Sequence, residues 1–75
     1  MAIVRQLEPR ALERDTPHSE AECTYSIVHD DRGRKYLQLD TYGSDSRKFP
    51  GKKSQSLRFA PEAIERLKSL LAEHF

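Results

Sequence analysis

One cysteine, Cys23, stands in the 75 residues, so no internal disulfide can close. His18, His29 and His74 are widely spaced and combine with Cys23 into no zinc-binding pattern. No apolar run approaches the roughly 18 to 20 residues that a membrane-crossing helix needs. The opening Met1-Ala2-Ile3-Val4-Arg5 lacks the basic-then-apolar layout of a secretory signal. A cytoplasmic protein is expected, nucleoid-associated or nuclear according to its host. Catalytic constellations are also scarce. Asp40 has no acid–base partner visible in the sequence. His29-Asp30-Asp31 sits at the mouth of an expected hairpin and reads as a solvated turn. Pro50-Gly51-Lys52-Lys53-Ser54 lacks the glycine spacing of a phosphate-binding loop and precedes a strand, not a helix. The expectation is a protein that is no enzyme, with no cofactor and no metal.

Net charge is scarce too, only +1, but the total hides a polarised chain. Residues 32–58 hold Arg32, Arg34, Lys35, Arg47, Lys48, Lys52, Lys53 and Arg58 against Asp40 and Asp45, a surplus of +6. Residues 1–31 carry −4 and residues 59–75 carry −1. Such asymmetry points to a polyanionic partner. Tyr36, Tyr42 and Phe49 interleave with the basic residues, and aromatic rings stack on bases that are unpaired. Hydrophobic residues make up 36% of the chain and charged ones 33%, little apolar material for a domain of this size. Small polar chains complete their cores by pairing with a second copy, so a homodimer is expected.

The C-terminal residues carry the clearest periodicity. Pro61 suits a first helical position, and Glu62 and Glu65 set negative charge near the positive end of the helix dipole. Ile64, Leu67 and Leu71 recur at helical spacing, which predicts a helix over 61–74. Three alternating segments precede it, near 23–29, 35–42 and 54–59. Cys23, Tyr25 and Ile27 share one face of the first, where Cys23 is expected to be a buried apolar side chain. Leu37, Leu39 and Thr41 oppose Tyr36, Gln38, Asp40 and Tyr42 in the second. In the third, Leu57 and Phe59 are expected to face the helix, and Ser56 and Arg58 to face away. Asp30-Asp31-Arg32-Gly33-Arg34 supplies a hairpin turn. Residues 43–53 read as a basic loop, and residues 1–20 as an N-terminal arm or edge strand ahead of a single domain over 21–75. The fold class is therefore α+β: an antiparallel sheet of three to four strands, then one C-terminal helix packed on one face, ββββα.

A glycine-led turn, an alternating strand ending in Tyr42, a basic loop, Pro50-Gly51-Lys52-Lys53-Ser54-Gln55-Ser56-Leu57, Pro61-Glu62 and Leu67-Lys68 follow in order. Over about Tyr25 to Leu71 this resembles the single-stranded-DNA-binding domain of the transcriptional coactivator positive cofactor four. The resemblance implies a four-stranded antiparallel sheet and helix, a homodimer, and channels for single-stranded DNA. It implies backbone contacts from Arg34, Lys35, Lys48, Lys52 and Lys53. Two positions depart from the family pattern: Asp40 replaces a frequent basic residue, and Gly43 follows Tyr42 where an aromatic one is usual. They imply that one phosphate contact and one stacking ring of the family are missing.

The residues expected to bind nucleic acid are Arg34, Lys35, Tyr36, Tyr42, Arg47, Lys48, Lys52, Lys53 and Arg58. The expected role is a single-stranded DNA- or RNA-binding protein, a transcription cofactor or an accessory to replication and repair. The alternative is a protein-interaction module on the same fold that has lost nucleic-acid binding. A weaker third reading, a small hydrolase or enzyme subunit, would have to use Asp40 or His29.

Overall fold

The turn between the first two long strands forms because Asp30 organises it. Its Oδ1 accepts the backbone N–H groups of Arg32 and Arg34, each at 2.9 Å. The Gly33 N–H donates to the Asp30 carbonyl at 3.1 Å, and Gly33 takes φ +78°, which a residue without Cβ adopts at little cost. The computed structural model describes residues 1–18, 20–42 and 53–75. Within them lie β1 (Ala2–Val4), β2 (Glu22–His29), β3 (Lys35–Tyr42), β4 (Gln55–Phe59) and α1 (Pro61–His74).

The sheet order is β1-β4-β3-β2. β2 pairs antiparallel with β3 from Glu22↔Tyr42 to His29↔Lys35, and β3 with β4 from Leu37↔Phe59 to Thr41↔Gln55. These three strands and the helix lie where the sequence places them. β1 adds a difference: it runs parallel to β4, with Ala2 opposite Leu57 and Val4 opposite Phe59, so the four-stranded sheet is mixed. The Ala60 N–H donates to the Val4 carbonyl at 2.9 Å and ties this edge to the helix start. Ala60 is extended, Pro61 follows with no N–H to satisfy, and the helix runs to a Phe75 N–H bonded to the Leu71 carbonyl.

Residues opposite one another in a ladder share a face. One face therefore carries Leu37 and Leu39 with Tyr25, Ile27, Leu57 and Phe59; the other carries Tyr36, Gln38, Asp40 and Tyr42 with Thr24, Ser56 and Arg58. The helix packs on β3 and β4, and the core is small: Tyr36, Phe59, Ala60 and Ala63.

Burial departs from the sequence expectation here. Phe59 is buried, but Leu57 is 41% exposed, and Leu37 and Leu39 are half-buried. Fourteen helical residues cover only one end of the apolar face. β2, at the sheet edge, leaves Ile27 63% and Tyr25 73% exposed. Cys23 is also exposed, a correction to its expected burial with the same cause. The polar side of β3 is the better shielded one, because side chains from the neighbouring strands fold over Gln38 and Asp40.

Candidate nucleic-acid interface

Strand register assembles the site. Ser56 lies directly opposite Asp40, and Arg58 directly opposite Gln38. Gln38 and Asp40, two residues apart on β3, point to the same side. Hydrogen bonds then run along and across the strands. The Ser56 hydroxyl donates to Asp40 Oδ1 at 2.5 Å. The Gln38 Nε2 donates to both Asp40 oxygens at 3.0 and 3.2 Å. Arg58 Nε and Nη2 donate to Gln38 Oε1 at 3.0 and 2.5 Å. Lys53 Nζ lies 3.5 Å from Asp40 Oδ2.

Asp40 is 3% exposed and Gln38 8%, whereas about half of the Lys53 side chain is open to solvent. Cations thus sit above a buried, fully hydrogen-bonded layer. Among the described residues no buried side-chain N or O atom lacks a partner. The Ser56 hydroxyl is the main cause holding the Asp40 carboxyl below the usual carboxylate range; burial opposes it, and Gln38 and Lys53 reinforce it. Asp40 is ionised at neutral pH.

The tyrosines differ. Tyr36 is 9% exposed, and its hydroxyl donates to Asp30 Oδ2 at 3.4 Å, so its ring is a wall of the fold and not an open stacking surface. Tyr42 is half-buried at the end of β3, with its hydroxyl 3.1 Å from Thr24 Oγ1. Tyr42, Lys53 and Arg58 therefore share one polar face. Arg34 and Lys35 do not join them. They are exposed at the start of β3 and line a groove of about 540 Å³ with Ile27, Leu37, Pro61 and Ile64. Arg47, Lys48 and Lys52 lie outside the described residues.

Gln38 and Ser56 were missed by sequence reasoning as members of the site. Alternation puts Gln38 and Ser56 on the polar side, but only register shows that both meet Asp40. No cluster of His, Cys, Asp and Glu suited to a metal ion occurs among the described residues, and no helix there is long and apolar enough to cross a membrane. No family model, curated protein or solved structure matches the chain.

Proposed function

We propose that this is a non-enzymatic protein that binds single-stranded nucleic acid as a homodimer. The carrying observation is the polar face of β3 and β4, where Lys53 and Arg58 stand over a hydrogen-bonded layer beside Tyr42. Cations on a fixed support suit the phosphates of a strand and give affinity without sequence preference. Tyr42 adds a ring beside them, which favours unpaired bases over duplex. The +6 surplus of residues 32–58 supplies a long-range field of the matching sign. A transcription cofactor or an accessory to replication and repair would use such a surface.

Dimerisation is supported by the opposite face. Tyr25, Ile27 and Leu57 are exposed large apolar side chains on one face of so small a domain. A neighbouring feature favours the second reading, a protein-interaction module: the groove over Ile27, Leu37 and Ile64 has Arg34 and Lys35 at its rim, with Lys68 paired to Glu65 at 3.2 Å, so its net positive lining suits an acidic apolar segment.

Fluorescence anisotropy with labelled single-stranded and duplex oligonucleotides at two salt concentrations separates the readings. Tighter binding of the single strand, weakening as salt rises, is expected. No single-strand binding even at low salt would sink the nucleic-acid reading in favour of the interaction module.

A further inference from the structure

Asp40 is a carboxylate in the middle of a face assigned to phosphate binding, and simple charge counting makes it a defect. Its neighbours argue otherwise. An ionised carboxylate only accepts hydrogen bonds, so it can take only the NH2 end of the Gln38 amide. That choice turns Oε1 of Gln38 away from Asp40 and toward Arg58. Oε1 then accepts from both Nε and Nη2 of Arg58, which fixes the plane of the guanidinium. The Nη1 edge makes no hydrogen bond among the described residues. On the other side of Asp40, Lys53 is drawn in to 3.5 Å while its side chain stays half exposed. One buried group thus sets the position of two cations, the exposed Lys53 and the half-buried Arg58.

We propose that Asp40 is a positioning residue that holds Lys53 directly and Arg58 through Gln38, so that this negative charge raises the affinity of the face for a phosphodiester strand. The inference rests on the nucleic-acid reading above and deepens it. Flexible lysine and arginine side chains lose rotamer freedom when they grip a phosphate. Side chains already held by the Asp40–Gln38 relay lose less, which is how preorganisation raises affinity. Gln38 and Asp40 are themselves buried, so they act through the two cations and not by touching the strand.

The relay and the charge-defect account predict opposite signs for Asp40→Asn. If Asp40 only repels phosphate, removing its charge tightens binding. If it positions the cations, the neutral amide accepts either end of Gln38, the Arg58 plane is released, and binding weakens despite the extra net positive charge.

The test is anisotropy on the full chain with a labelled oligothymidylate of about 20 nucleotides, long enough for one site. Asp40→Asn is expected to weaken binding roughly three- to tenfold and to reduce the log–log salt slope by about 0.7 for each phosphate that is no longer gripped. Gln38→Leu breaks the relay without changing charge and is expected to weaken binding by freeing Arg58. The combined effect of the double variant should fall short of the product of the single effects, because both act on one path. Circular dichroism checks that each variant is folded, and Gln38→Leu decides alone if Asp40→Asn is not.

Independently of any variant, the wild-type 15N–1H spectrum should show a slowly exchanging Arg58 Nε–H resonance; its absence overturns the relay. Binding by Asp40→Asn as tight as wild type or tighter, with an unchanged slope, overturns the positioning role and leaves the nucleic-acid reading standing. A wild-type protein that ignores the oligonucleotide at low salt removes both.

Discussion

Lys53 and Tyr42 share a face but contribute different physics, and each can be isolated by a single substitution. Lys53→Ala should weaken binding to all single strands alike and flatten the salt dependence, since a phosphate contact carries no sequence information. Tyr42→Ala should weaken binding by roughly 1 to 3 kcal/mol, the worth of one stacked base, and leave the salt slope nearly unchanged. Equal slopes for the two variants would contradict this division of roles. Titration offers a second residue-scale expectation. Asp40 and Asp30 both lie below their ordinary value of 3.8, and Glu62 below 4.5. For Asp30, partial burial pushes upward but is outweighed by the Arg34 and Arg32 backbone N–H groups and by the Tyr36 hydroxyl. For Glu62, its own backbone N–H at the helix start acts first, with Arg5 at 3.4 Å adding to it. A carboxyl whose folded value is depressed stabilises the fold at every pH above its unfolded value and loses that contribution as pH falls through the folded one. The melting temperature should therefore be flat from pH 8 to about pH 5 and should drop below about pH 4. A melting temperature that stayed level down to pH 3 would contradict this.

At the scale of elements, the β2–β3 hairpin depends on one backbone conformation. Gly33 has φ +78°, and no atom lies within 4 Å of where a Cβ would stand, so a larger residue meets no clash with neighbours. Only the left-handed conformation opposes substitution. Gly33→Ala should cost about 1 to 2 kcal/mol, read from the midpoint of urea unfolding. The elements themselves were legible from the sequence. Pro61 with the spacing of Ile64, Leu67 and Leu71 marks α1, and alternation marks β2, β3 and β4, because each pattern is local. What was not legible is what lies between elements. Leu57 and Phe59 have the same alternation, yet one is 41% exposed and the other 8%, because the end of a sheet that a helix covers depends on where the chain turns at Ala60. Asp40 showed no partner in the sequence, since Ser56 is sixteen residues away and only register brings its hydroxyl to 2.5 Å. The direction of β1 was likewise hidden: three residues are too few to carry a pattern that tells parallel from antiparallel pairing.

On the scale of the whole molecule, the two faces of the sheet set separate expectations. The polar face is internally satisfied and stands on its own. The apolar one is not: Ile27 and Tyr25 lie in the open at 63% and 73% exposure beside the groove under α1. Light scattering at micromolar concentration should give about twice the chain mass of 8.7 kDa. Ile27→Asp should give the single-chain mass with the same circular dichroism, because a charge is expensive in a closed apolar seam and harmless in solvent. A wild-type mass near that of one chain would remove the dimer.

The parallel pairing of β1 with β4 also orders events in time. Ala2 meets Leu57, so β1 has no partner in the sheet until β2, β3 and β4 have all followed it in synthesis. The β2–β3 hairpin needs only the short turn at Asp30–Arg34, and β4 and α1 can add next, each beside a neighbour already formed. β1 must close the longest loop in the sheet, whose entropic cost precedes any reward. It is made before the other three strands and placed after them. Strands placed after the folding barrier slow unfolding and scarcely touch the folding rate. Val4→Gly in stopped-flow experiments should therefore steepen the loss of native protein on dilution into denaturant and leave refolding almost unchanged, and an equal slowing of refolding would put β1 in the nucleus.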